Sequence, residues 1–144
     1  MRRILYISML CIVAALVAAG CCRCGSKSRS QASLAGNTWK LVKLMGAHVE
    51  ADGDLYTLTF TDEGRFNGVG GGNRLMGSYT AAADGKLTID YPASTRMLCP
   101  DQEREDLFFR TVSEADAYEI DGETLMLLHN GEAQALFTLV KADR

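Results

Sequence analysis

Between Tyr56 and Phe60 the chain alternates, with Tyr56, Leu58 and Phe60 on one side and Thr57 and Thr59 on the other; Leu87 and Ile89 repeat the arrangement against Thr88 and Asp90. A period of two sends successive side chains to opposite faces, so each segment is predicted to be a strand with one buried and one wet face. Such runs are punctuated by Asp52-Gly53, Asp84-Gly85, Asp121-Gly122 and Asn130-Gly131, with Asp62-Glu63-Gly64 in the same role. These residues tolerate the positive φ that tight hairpins require. The body is therefore predicted to be mostly antiparallel β.

Two stretches break the alternation. Leu125-Met126-Leu127-Leu128 and Leu136-Phe137-Thr138-Leu139-Val140 are apolar on both faces, which predicts a cover on the outside of that part of the sheet. The expected cover is a helix from Pro100 to about Ala115. Leu107, Phe108, Val112 and Ala115 fall at helical spacing, Pro100 suits a first turn, and Asp101, Glu103, Glu105 and Asp106 favour the positive N-terminal end of a helix. Those four acidic residues lack the Asp-x-Asp-x-Asp-Gly spacing of a calcium loop and read as a solvated first turn. The fold class that results is mainly β (α+β): a small, curled antiparallel sheet with one packed amphipathic helix.

The N-terminus has a different texture. Arg2 and Arg3 precede an apolar run from Ile4 to Ala19 interrupted by Ser8, and Ala18-Ala19-Gly20 stands before Cys21. A basic start, an apolar stretch and small residues at its end are the marks of a secretory signal peptide over residues 1–20, with an uncleaved membrane anchor as the alternative. The tetrapeptide ending in Cys21 resembles the bacterial lipobox, whose cysteine is acylated on sulfur and becomes the new N-terminus. Small neighbours leave room for a lipid at the thiol, and two or three acyl chains hold a protein far more firmly than one. Residues 21–33 contain CRCGSKSRSQAS from Cys22 to Ser33 and read as a flexible tether. The Cys22-Arg-Cys24 triplet lacks the second ligand pair that a zinc clip needs, and no metal is expected.

At 144 residues and 47% hydrophobic composition, what remains suffices for one core. Removing Arg2 and Arg3 from the 15 basic side chains leaves 13 against 18 acidic ones and moves the formal charge from −3 to −5. An acidic body argues against a nucleic-acid partner, which selects for a basic face.

The stretch GVGGGNRLMGSY from Gly68 to Tyr79 raises the question of a phosphate loop. It matches neither GxxxxGK[ST] nor a GxGxxG that opens a helix, and Leu75, Gly77 and Tyr79 continue it as a strand. Its glycines are therefore expected at bends, or where another backbone comes close. Ser94, Thr95 and Arg96 precede the helix and read either as an anion site with its free amides or as a cap with an internal salt bridge. His48 and His129 are expected on the surface. A hydrolase would need one of them beside Ser94 or Cys99.

Four stretches together carry a family resemblance: LAGNTW with Leu34, Gly36 and Trp39; GGGNRLMGSY with Asn73, Arg74, Gly77 and Tyr79; STRMLC from Ser94 to Cys99; and the terminal pair LMLL and ALFTLV. Over nearly all of Leu34 to Lys141 the chain resembles the META domain family, HslJ-like. The resemblance implies a META-like domain over residues 34–142, a small antiparallel, barrel-like sheet with one packed helix, frequently carried on bacterial envelope lipoproteins, with no established catalysis and no cofactor. It implies structural or binding roles for Asn73, Arg74, Gly77, Tyr79, Ser94, Thr95, Arg96 and Cys99. Where such sequences commonly read GCN, this chain has Gly72-Asn73, so a pairing of that position with Cys99 is impossible here. Cys99 is then expected to be a free, largely buried thiol.

Three functions follow as expectations. The first is a non-enzymatic lipoprotein, held by a lipid on Cys21 to the bacterial envelope. By resemblance to enterobacterial lipoprotein sorting, Cys22 rather than Asp after Cys21 implies the outer membrane, facing the periplasm, where the protein would bind or support a peptide or envelope protein. The second is a hydrolase using Ser94 or Cys99. The third is a purely structural lipoprotein.

Overall fold

The computed structural model describes residues 32–141; the readings of the signal peptide, of Cys21 and of the tether through Gln31 lie outside them. The elements are β1 (Asn37–Leu44), β2 (Ala47–His48), β3 (Thr57–Phe60), β4 (Arg65–Val69), β5 (Arg74–Ala81), β6 (Leu87–Ser94), α1 (Gln102–Glu114), β7 (Ala117–Asp121), β8 (Thr124–His129) and β9 (Glu132–Leu139). All strands pair antiparallel in one sheet of order β6-β5-β4-β3-β1-β9-β8-β7, with β2 folded back on β1. The sheet curls until its edges meet at a bridge between Lys86 and Ala117. There Leu87 N donates to Asp116 O at 2.9 Å and Tyr118 N to Gly85 O at 2.8 Å. Beyond that point the barrel stays open; the mainly β class, the curled sheet and the one helix among the described residues are as expected.

The alternation does what a period of two dictates. Trp39 lies opposite Leu58 on one side and Leu139 on the other, Leu41 opposite Phe137, and Phe60 opposite Phe66. This inner face, with Leu75, Leu87, Leu125, Leu127 and Ala135, forms the buried core. Trp39 is fully enclosed, and its indole Nε1 donates to Leu34 O at 3.2 Å. Phe60 and Tyr79 meet edge to face at 4.9 Å.

The curl requires glycine at two strand positions. A Cβ on Gly68 would stand 2.3 Å from Thr57 O, and one on Gly77 2.5 Å from Phe66 Cε1. Gly77 also marks the register shift between β5 and β6, so the sheet bends where the side chain is missing. Asn130-Gly131 forms a two-residue hairpin with both φ values positive, and so does Met45-Gly46, which the sequence does not advertise because methionine is no turn residue.

The helix differs from expectation in two respects. Its cap is Asp101, whose side chain accepts from Arg104 N at 3.1 Å, so Pro100 precedes the helix rather than starting its first turn. More importantly, α1 does not cover the outside of β8 and β9. Phe108 lies 5.3 Å from the Tyr56 ring and 6.3 Å from that of Phe137, both on the inner side. The helix lies across the barrel mouth beside the turns at 45–46 and 130–131, while Met126, Leu128 and Leu136 remain half-buried on the outer face.

The registers sort the connections into two poles. One holds the entry to β1, the turns at 61–64, 82–86 and 122–123, and the exit from β9. Ala32 N donates to Gly122 O there at 3.1 Å. The other pole holds the turns at 45–46, 70–73 and 130–131 and the segment 95–99 that leads into α1.

Candidate functional site

The glycine stretch is the β4–β5 connection, closing between the paired residues Val69 and Arg74. Gly70, Gly71 and Gly72 are absent from the positive-φ positions, so their backbone does not demand glycine. The space above it does. A Cβ on Gly70 would lie 2.6 Å from Glu105 Oε1, and one on Gly71 2.6 Å from Tyr56 Oη and 2.9 Å from Glu105 Oε2. Helix α1 thus lays one carboxylate flat on the loop. Gly71 N donates to Glu105 Oε2, and Asn73 N donates to Oε1 at 3.2 Å.

Glu105 is only 3% exposed, so it is not part of a solvated first turn. The ion pairs among the described residues are Arg104 with Asp101, His129 with Asp116 and Lys141 with Glu123, none of which involves it. Its charge is met by oriented backbone amides and by the N-terminal turn of its own helix, an environment that suits an anion without a cation. The loop therefore cradles an anion, and the anion is internal. The spacing rule for phosphate loops had no way to find it, because the ligand lies 34 residues along the chain from Gly71.

Asn73, 2% exposed, ties the same loop to the segment after β6. Its Oδ1 accepts from Met97 N at 2.6 Å and from Thr95 Oγ1 at 2.9 Å, and its Nδ2 donates to Met97 O at 3.0 Å. Thr95 Oγ1 in turn accepts from Arg74 N at 3.0 Å. Asn73, Thr95 and Cys99 are thus brought together, with Arg74 joined through its backbone. Gly77 and Tyr79 are not in this group: Tyr79 Oη donates to Thr61 O at 2.7 Å, toward the other pole.

Ser94 ends β6 and donates to Thr95 O at 2.9 Å, while Arg96 is exposed with no ion pair among the described residues. The reading of Ser94 to Arg96 as a helix cap with an internal salt bridge is therefore corrected, because the cap is Asp101.

Cys99 is free but only half-buried, and its neighbours are polar rather than apolar. Its Sγ lies 3.7 Å from Gln102 Oε1 and 3.9 Å from Glu105 Oε2. Lost hydration first, and the Glu105 carboxylate second, push the thiol above its ordinary value, the opposite of what activates a nucleophilic cysteine. A Cβ on Gly72 would stand 3.1 Å from Cys99 Cβ, so the two positions of the family motif are neighbours.

Beside this network a groove of about 530 Å³ runs between the end of β6 and α1. Pro92, Ser94, Met97, Leu98, Asp106 and Phe109 line it, together with Asn73 and Glu105. Its walls mix polar and apolar groups; Leu98 is 99% exposed and Met97 60%, and Tyr91, next to Pro92 in the chain, is 90% exposed. His48 is exposed on β2. His129 ends β8 beside Asn130 Nδ2 at 2.9 Å, with Asp116 Oδ2 3.5 Å from its Nδ1, within ionic reach but not hydrogen-bonded. Among the described residues, no three His, Cys, Asp or Glu side chains are grouped to hold a metal, and no helix is long and apolar enough to cross a membrane.

The model of the META domain family matches residues 32–143. Three solved structures share the fold, two of them from named organisms. A protein from Burkholderia xenovorans, solved by NMR, is 23% identical with a TM-score of 0.60, over 76% of this chain and 85% of its own. A DUF4847 family protein from Bacteroides vulgatus, solved by crystallography, is 20% identical with a TM-score of 0.56, over 76% of this chain and 96% of its own. No curated protein matches the sequence.

Proposed function

The chain belongs to the META domain family, and on that footing we propose that it is a non-enzymatic envelope lipoprotein whose META domain binds a peptide or another envelope protein. The observation that carries this reading is the groove between β6 and α1 with Tyr91, Met97 and Leu98 exposed around it. Large apolar side chains left in water beside a concave surface are costly and mark sites where something else covers them. Support of the envelope under stress belongs to the same reading.

The placement of the termini fits it. The chain enters at the pole of Gly122, where Ala32 is bonded. With acyl chains on Cys21, the eleven residues 22–32 reach at most about 36–40 Å, and the groove is at the pole opposite the one where this tether joins the domain. Hydrolysis through Ser94 or Cys99 is less favoured, since Ser94 donates to a backbone carbonyl and the Cys99 thiol is held protonated.

Two experiments test this function. Cys21→Ser in the full chain is expected to abolish acylation and to release the protein from the membrane fraction or leave it unprocessed; normal processing with full membrane retention would end the lipoprotein reading. A photo-crosslinking residue at Leu98 is expected to capture one discrete envelope protein or peptide. The same probe at exposed Glu63, on the opposite pole, should not capture it. Equal labelling from both positions would favour a purely structural lipoprotein.

A further inference from the structure

Successive backbone amides turned toward one point form concavities that bind anions, most often phosphate from outside the chain. In this protein two such amides, Gly71 N and Asn73 N, each address a different oxygen of the Glu105 carboxylate. Three observations make this a built site rather than a chance contact. Glu105 is buried and outside every ion pair among the described residues. The carboxylate lies so close to the loop backbone that a Cβ on Gly70 would fall 2.6 Å from Oε1 and 2.7 Å from Oε2. The groove beside β6 is walled in part by Asn73 and Glu105, which gives the site an approach from solvent.

We propose that the loop 70–73 is a carboxylate-binding site whose resident ligand is Glu105, and that it takes a carboxylate from solution when that side chain is removed. The geometry selects the ligand class. Two amides with the Cα atoms of Gly70 and Gly71 packed against them accept a flat, two-oxygen group, whereas a tetrahedral phosphate needs depth that Tyr56 Oη, 2.6 Å from the Cβ position of Gly71, already fills. Helix α1 is then fastened to the β4–β5 hairpin by a ligand bond, in addition to the burial of Phe108 and Val112 in the core. The site itself does not depend on the lipoprotein reading.

The probe is acetate, with chloride at matched ionic strength as the control, applied at neutral pH to the full chain in detergent. Glu105→Ala is expected to lower the melting temperature, and acetate to restore most of that loss saturably, with little effect of chloride or of acetate on the parent. Adding Gly71→Ala to Glu105→Ala should abolish the recovery. Equal responses to acetate and chloride would overturn the proposal. Should Glu105→Ala fail to fold, Glu105→Gln keeps the side-chain volume and removes the charge. Its amide proton resonances at Gly71 and Asn73 should then move upfield while that of Leu125 holds, and unmoved resonances at both positions would overturn the proposal equally.

Discussion

Around Trp39 the sheet is held by rings and aliphatic chains that need a volume filled but no particular partner atom. Around Asn73 it is held by hydrogen bonds, each of which requires one acceptor at one distance. The first region gains from each buried methylene and tolerates swaps of similar volume. The second gains little net from each bond, yet leaves buried polar groups stranded when one member is lost. The difference teaches where this fold resists change: the interior in proportion to volume removed, and the loop pole in proportion to partners orphaned.

The largest expected effect lies in the interior. Trp39→Ala should cost about 3–5 kcal/mol, because the ring is fully enclosed and no neighbour can refill its volume. That approaches the total margin of a small domain, so urea denaturation should show the variant unfolded or nearly so. A midpoint close to that of the parent would break the comparison at its stronger end.

Next comes a gain at the loop pole. Gly72→Cys places a second Cβ 3.1 Å from that of Cys99, a few tenths of an ångström inside the usual disulfide range of about 3.5–4.5 Å. After oxidation, a bridge between the two positions should raise stability by about 2–4 kcal/mol, less any strain. Non-reducing peptide mapping would read it directly, and two alkylatable thiols after mild oxidation would show that the positions do not meet.

Asn73→Ala should cost about 1–3 kcal/mol, since the Met97 amide and carbonyl lose their partner. Asn73→Asp sharpens the test. It keeps an oxygen for Met97 N and Thr95 Oγ1 but sets a second carboxylate oxygen against Met97 O, a buried charge next to a carbonyl and close to Glu105, so it should cost at least as much as alanine. An aspartate variant as stable as the parent would mean that these bonds do not hold the loop.

The smallest effect is one of pH. Tyr56 and Tyr79 are both raised above 10.0, chiefly by burial, and Cys99 is raised above 9.0 by lost hydration and then by Glu105. Each neutral form is favoured in the folded state. Their contribution is therefore fully present below the unfolded values and is lost as pH rises through the folded ones. Stability should be level from pH 7 to about 9 and decline above it; a rise in that upper range would contradict the assignment.

Much of the interior was legible in the sequence. Tyr56, Leu58 and Phe60 alternate, the Asp-Gly and Asn-Gly pairs punctuate, and a single tryptophan beside Leu41 has few places to go but inward. The helix was legible as a helix but not in its position, because apolar residues on both faces of β8 and β9 say that cover is needed without saying on which side. The loop pole was scarcely legible. Its glycines are there to admit Glu105, and nothing local distinguishes that glutamate from Glu103 or Asp106; only the chain path that lays α1 across the barrel mouth selects it. Cys99 was legible as free but not in its surroundings, for the same reason.

The account rests on Glu105 occupying the glycine loop, and native-state hydrogen exchange at Gly71 and Asn73 tests this most directly. Although both amides lie in a surface hairpin, they are predicted to exchange far more slowly than the amide of Gly53 in its exposed loop. In Glu105→Ala they should lose that protection while the amides of Leu41 and Leu58 slow-exchange as part of the sheet. If Gly71 and Asn73 exchange in the parent as fast as Gly53, the carboxylate is not in the loop and the account is wrong.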